Sequence, residues 1–324
     1  MTVFACAGCG AVLTVPVSQV ALPVHAHQVY GNGYPLGTLM EPGTFAVDPA
    51  RHGPASLQGA GGTVALAPGD VHGAVLVLGL DGFCCGLDGR DGPNMNCARC
   101  GRPVATRVDD CSLWQATWLD PTAVRRIDDA APARIADWAT LIAQRPGTPP
   151  ALPNGHWEPM WTAAVAASLA HLVAASGGAP VTVPDGLVAA TFRRALERLL
   201  PPGPGAKTLA VAGPNLPAVA DILLVPQHPQ TGAAWSPQDG QVAVPIAFDV
   251  WAVLAAQRDR RPVPGAGLPP GEVYHDDPPP PELYRFSPDG RVFLATLAGL
   301  PELRQPWLRA IYDKVRENPY RALF

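Results

Sequence analysis

A chain of 324 residues and 33.9 kDa is too long for one small core, and its length fits about two domains. Hydrophobic residues make up 48% of it, which is enough for a sizeable interior, and 39 prolines with 33 glycines fall short of the roughly 25–30% at which composition alone argues for disorder. A formal charge of −4 and pI near 6.0 exclude a global basic field for a polyanion. Of the 23 basic residues only Lys207 and Lys314 are lysine. This chain-wide arginine bias fits a GC-rich coding sequence and locates no site.

The opening residues, MTVFACAGCG, lack the basic and long apolar regions of a secretory signal. The seven cysteines all fall within the first 111 residues: Cys6, Cys9, Cys84, Cys85, Cys97, Cys100 and Cys111. An odd count without a signal argues against a disulfide framework and for a cytoplasmic chain. Four of them form near-copies of one motif, Cys6-Ala7-Gly8-Cys9-Gly10 and Cys97-Ala98-Arg99-Cys100-Gly101. Two intervening residues let both thiolates reach one ion, and the glycine permits the tight turn beneath them. The pair of motifs resembles the knuckles of zinc-ribbon and rubredoxin-like proteins, over those two segments only. The resemblance implies one zinc, or iron as in rubredoxins, held by Cys6, Cys9, Cys97 and Cys100. Zinc is preferred because nothing in the sequence suggests electron transfer. The departure is the spacing: 87 residues lie between Cys9 and Cys97, against roughly 15–20 in the compact form, so a folded insert must separate the knuckles. A rival grouping joins Cys97 and Cys100 to Cys111 and one of Cys84 or Cys85. A closed four-thiolate site leaves no open position, so it stabilises structure and leaves function open.

Between residues 11 and 119 the pattern is one of short strands: 12–15, 20–30, 63–66, 72–80, 104–108 and 111–119, punctuated by turns. Two features there could carry chemistry. On a strand, His25 and His27 would face the same way and could converge on an ion. The glycine-rich stretch 79–94 contains Asp81, Asp88 and Asp91 around vicinal Cys84 and Cys85. With Asp109, Asp110, Cys111 and the two histidines it could build a second, open metal site that activates water. The plainer reading is a buried Ω-like loop. Trp114 and Trp118 read as core.

Helical signals follow. Asp120-Pro121 reads as a cap and first turn, and a helix from Pro132 to Gln144 would bury Ile135, Trp138, Ala139 and Ile142. Residues 146–153 read as a linker. Residues 160–175 are apolar but too short to span a bilayer, so a buried helix is predicted. Next come a strand at 181–183 and a helix over 186–200 capped by Asp185, with Val188, Phe192, Ala195 and Leu199 inward. Strands are predicted at 208–212, 222–225 and 241–248, then a helix from Asp249 to about Arg258. Residues 262–283 are proline-rich, a spacer or partner-recognition segment. A hairpin about Ser287-Pro288-Asp289-Gly290 and a helix over 306–318 close the chain.

The expected architecture is α+β. A sheet-rich zinc-knuckle domain spans 1–119, a helical connector 120–153, and a mixed domain 154–324. The preferred functional expectation is a cytoplasmic protein with a structural zinc, acting as a binding or regulatory module for an unknown protein or small-molecule partner. The alternative is a metal-dependent hydrolase using the glycine-rich loop with His25 and His27. Nucleic acid is disfavoured, since residues 1–110 hold 8 acidic and 5 basic side chains, the wrong sign for phosphate. No membrane association is expected.

Overall fold

The computed structural model describes residues 1–31, 35–49, 61–77, 86–129, 134–152, 155–237, 240–256, 285–319 and 323. The fold is α+β. Two compact units divide at Ala136/Asp137: the first is Met1–Ala136 with Pro229–Gly232, the second Asp137–His228 with Ala233–Phe324. Cys84, Cys85, Asp81 and the proline-rich stretch 262–283 lie outside the described residues.

The first unit contains β1 (Thr2–Cys6), β2 (Ser18–Gln19), β3 (Thr44–Val47), β4 (Val64–Leu66), β5 (Ala74–Leu76), β6 (Met95–Cys97), β7 (Pro103–Val108), β8 (Ala116–Leu119) and β9 (Val124–Asp128). Seven of these form one sheet in the order β2-β3-β4-β8-β7-β6-β5, antiparallel except for the β2–β3 pair. Side chains alternate across it with the period of 2 that a strand imposes. Phe45, Val64, Leu66 and Leu119 join Phe4, Leu13 and Val104 in one core. Ala46, Ala65 and Trp118 face a second core with Leu39 and Met40. The first of these cores carries Cys6 and Cys97.

Several expectations are corrected here. Residues 24–27 are a turn and not a strand, closed by Ala26 N–H to Pro23 O at 3.0 Å and Gln28 N–H to His25 O at 3.0 Å. Residues 12–15 make isolated bridges only, Ala5 to Val12 and Thr14 to Val71. Asp120-Pro121 starts no helix. The Asp120 carboxylate accepts from the Thr122 N–H and hydroxyl at 2.8 Å each, closing a turn into β9, which pairs antiparallel with β1 in the register Cys6–Val124. A local Asp-Pro signal suits a turn as well as a helix start; the long-range pairing with β1 selects the turn.

The second unit comprises α1 (Trp138–Gln144), α2 (Pro159–Ser176), β10 (Val181–Thr182), a π-turn (Ala189–Arg193) running into α3 (Arg194–Leu199), β11 (Lys207–Val211), β12 (Ile222–Gln227), β13 (Val242–Ala247), α4 (Phe248–Ala256), α5 (Gly290–Ala298) and α6 (Pro306–Glu317). The four strands form a parallel sheet in sequential order. The first five residues of β12 are buried one after another, as a parallel strand covered on both faces requires; α2 and α4 both pack against it. Among the described residues, α2 is the one helix long and apolar enough to cross a membrane, yet 78% of it is buried in the unit.

Here too the details differ from expectation. α1 starts at Trp138 because Asp137 caps it, accepting from the Thr140 N–H at 2.8 Å. Its buried residue is Leu141, while Ile135 and Ile142 are exposed. The Ser287–Gly290 stretch forms no hairpin: Asp289 caps α5, accepting from the N–H groups of Arg291 and Val292. Val188, Phe192, Ala195 and Leu199 are all buried, as the helical spacing requires.

Candidate metal centre

Two strand ends place the cysteines. β1 ends on Cys6 and β6 on Cys97. After each, the chain turns back through the same hydrogen bonds. Gly10 N–H donates to Cys6 O at 2.9 Å and Cys6 N–H to Ala11 O at 2.8 Å. In the second knuckle, Gly101 N–H donates to Cys97 O at 2.9 Å and Cys97 N–H to Arg102 O at 2.8 Å. Gly10 and Gly101 sit at φ +74° and +73°, in the left-handed region where a Cβ is penalised. Repeated sequence has become repeated backbone.

One short segment joins the distant knuckles. Leu13 O accepts from both His72 N–H at 2.9 Å and Gly73 N–H at 3.1 Å, and Gly73 O in turn accepts from Ala98 N–H at 2.9 Å. The segment leaving the first knuckle is thereby tied, through residues 72–73, to the second. Gly73 permits this crossing, since a Cβ there would lie 2.1 Å from Val12 O. On the other side, Ala7 N–H donates to Ala123 O at 2.9 Å, fastening the first knuckle to the turn before β9.

All four sulfurs lie within 4.8 Å of one another. Cys6 Sγ is 3.7 Å from Cys100 Sγ, and Cys9 Sγ is 3.6 Å from Cys97 Sγ. A disulfide needs about 2.05 Å, so these are thiols. Tetrahedral thiolates about 2.3 Å from a common ion would be about 3.8 Å apart, close to the observed separations. Cys6 and Cys97 are buried, Cys9 is half-buried and Cys100 is exposed. The cluster is therefore rooted in the core and open to solvent on one side, and it could hold a metal ion.

The thiols do not ionise alike. Burial pushes Cys6 up, but the backbone N–H groups of Cys9 and Gly8 and the thiols of Cys100 and Cys97 outweigh it and bring Cys6 down to about 7. For Cys100 the Arg102 N–H favours the thiolate, but the sulfur of Cys9, partial desolvation and the sulfurs of Cys6 and Cys97 together outweigh it and push the group up to about 11. A first thiolate forms readily and then opposes the next, as coupled sites do. A cation among them removes that opposition.

Two arginines flank the first knuckle. A Cβ on Gly8 would lie 3.4 Å from Arg102 Cδ and 3.7 Å from Cys6 Sγ, and one on Gly10 would lie 3.4 Å from Arg125 Nη2. Their positive charge stands beside a cluster that becomes negative on ionisation.

The other sequence candidates part company. His27 Nε2 lies 2.9 Å from Asp48 Oδ2 and its ring stacks on Trp118 at 5.7 Å. His25 packs against Trp114 with ring centres 4.3 Å apart, and burial lowers its pKa to about 4. Asp109 pairs with Arg107 at 2.8 Å, Asp88 with Arg90 at 3.1 Å, and the Ser112 hydroxyl lies 3.9 Å from the sulfur of Cys111. Among the described residues, Cys6, Cys9, Cys97 and Cys100 are the one group of three or more metal-ligating side chains. Sequence reasoning missed Gly73, Arg102, Arg125 and the His27–Asp48 pair. Only Gly73, a glycine interrupting the 72–80 strand pattern, left a readable signal.

No family model matches the chain, and neither a curated protein nor a solved structure matches it.

Proposed function

We propose that this chain is a cytoplasmic zinc protein in which Cys6, Cys9, Cys97 and Cys100 hold one structural zinc, in the manner of a zinc ribbon with a folded insert. The observation that carries the reading is the pair of sulfur separations, 3.7 and 3.6 Å, beside the edge of about 3.8 Å that a zinc tetrathiolate would have. Two equivalent glycine turns and reduced thiols support it. Such a site supplies folding energy and no open coordination position. The protein then works as a binding or regulatory module, presenting surfaces that the metal keeps in shape. Reduced thiolate ligands suit a reducing compartment.

Elemental analysis of purified protein tests this. One zinc per chain is expected, held through mild chelation and lost from Cys97→Ser with unfolding of the first unit. Iron in place of zinc would show as visible absorption and would overturn the zinc assignment. No metal at all would overturn the site.

A further inference from the structure

The second unit carries a cleft at the carboxyl ends of β10 and β11, with a volume of about 390 Å³. Small-molecule sites span about 300–1,000 Å³, a range that includes this cleft. Ala210 and Val211 come from β11, Leu187 and Val188 from the helix after β10, and Val219 from the loop between β11 and β12.

Hydrogen bonds fix both walls. Arg193, the last residue of the π-turn, donates from Nη2 to Val183 O at 3.1 Å and to Asp185 Oδ1 at 2.6 Å, pinning the turn that follows β10. Such π-turns frequently mark functional sites. Across the cleft, Asp221 Oδ2 accepts from the N–H and hydroxyl of Thr208 at 2.7 and 2.8 Å. Gly213 and Leu216 exchange backbone hydrogen bonds at 3.2 and 3.0 Å. The loop is therefore anchored at its base, yet Val219 on its rim is 97% exposed. An apolar side chain held in water beside an apolar cleft gains burial when the cleft fills.

Nine of the ten lining residues are apolar and the tenth is Asp185. Arg193 is not among them, although its guanidinium holds one Asp185 oxygen at 2.6 Å; the Asp185 side chain is 93% exposed, which leaves its second oxygen open to a cationic group. We propose that this cleft binds a small amine: an apolar body seated on Val188 and Val211 beneath Val219, with its ammonium group paired to Asp185. The site is independent of the metal centre, since every lining residue belongs to the second unit.

The test is a titration of the full-length, ¹⁵N-labelled protein with 2-phenylethylamine, 2-phenylethanol and 3-phenylpropionate, probes that share a ring and differ in the end group. The amine should give saturable shifts at the amides of Val188, Val211 and Val219, with affinity about fivefold above the alcohol and at least tenfold above the acid. Asp185→Asn retains an oxygen for Arg193 and should bring the amine down to the alcohol without changing the alcohol. Val219→Lys, at an exposed position, should weaken the amine more than the alcohol, since like-charge repulsion adds to the lost apolar cover. Equal binding of the three probes, no saturable shift at those amides, or an amine indifferent to both substitutions would each overturn the proposal.

Discussion

Gly10 and Gly101 hold φ values of +74° and +73°, and alanine at either position places a Cβ in the left-handed region at a cost of about 1–2 kcal/mol. Because the turn and the ligand geometry form together, Gly10→Ala or Gly101→Ala should weaken metal binding about five- to thirtyfold. Competition against a zinc chelator measures it. Arg102 and Arg125 would act on the proposed zinc site through charge, since a zinc tetrathiolate carries a formal charge of −2. Replacing both with glutamine should speed chelator-driven zinc loss about two- to fivefold at low salt, with the difference shrinking as ionic strength rises. A salt-independent rate equal to wild type would remove them from the site's chemistry. His25 shows the opposite sensitivity. With its folded value near 4 and its unfolded value near 6.5, the unfolded chain gains a proton that the folded chain refuses. Stability should fall as pH drops below about 6.5 and level off near 4. Denaturant melts of wild type and His25→Gln should separate across that window and converge above pH 7.

At the scale of elements, the cysteine turns were legible because everything that defines them is local: two thiols, a two-residue gap and a glycine. The buried helix α2 and the stripe Val188, Phe192, Ala195 and Leu199 were legible for a similar reason, a clear apolar character or period. The errors share a cause. Asp120-Pro121 and Ser287–Gly290 carry signals common to turns, caps and hairpins, and only the partner settles which forms: β1 for the first, the capped amides of α5 for the second. His25-Ala26-His27 fits a strand, but the backbone closes on Pro23 and His25 carbonyls instead. The join between the knuckles was invisible because it runs through Leu13 and residues 72–73, whose contact no spacing encodes. Gly73→Ala therefore tests the assembly sharply. Its Cβ meets Val12 O, a backbone atom with little freedom to move. The variant should lose metal and the first unit's fold together, while Gly69→Ala, which has open space around it, should retain both.

At the scale of the whole molecule, the two compact units differ in what holds them. The second has an extended core around α2 and the parallel sheet. The first has short strands, two small cores and the proposed metal. Closing a loop of nearly ninety residues contributes about 4–5 kcal/mol in the chain-entropy account of a cross-link. That is comparable with the stability of many whole domains. Strong chelation should accordingly melt the first unit and spare the second, read as protease-resistant fragments from Asp137 onward and as loss of tryptophan signal from Trp114 and Trp118. The uneven exposure of the four sulfurs has a further consequence. With the proposed metal bound, and all four sulfurs held as thiolates, an oxidant arriving from solvent meets the exposed Cys100 before the buried Cys6 or Cys97, so damage begins at the outer latch while the inner pair still grips. The clasp would open from outside inward, leaving an interval in which a reductant can reset it before the chain lets go.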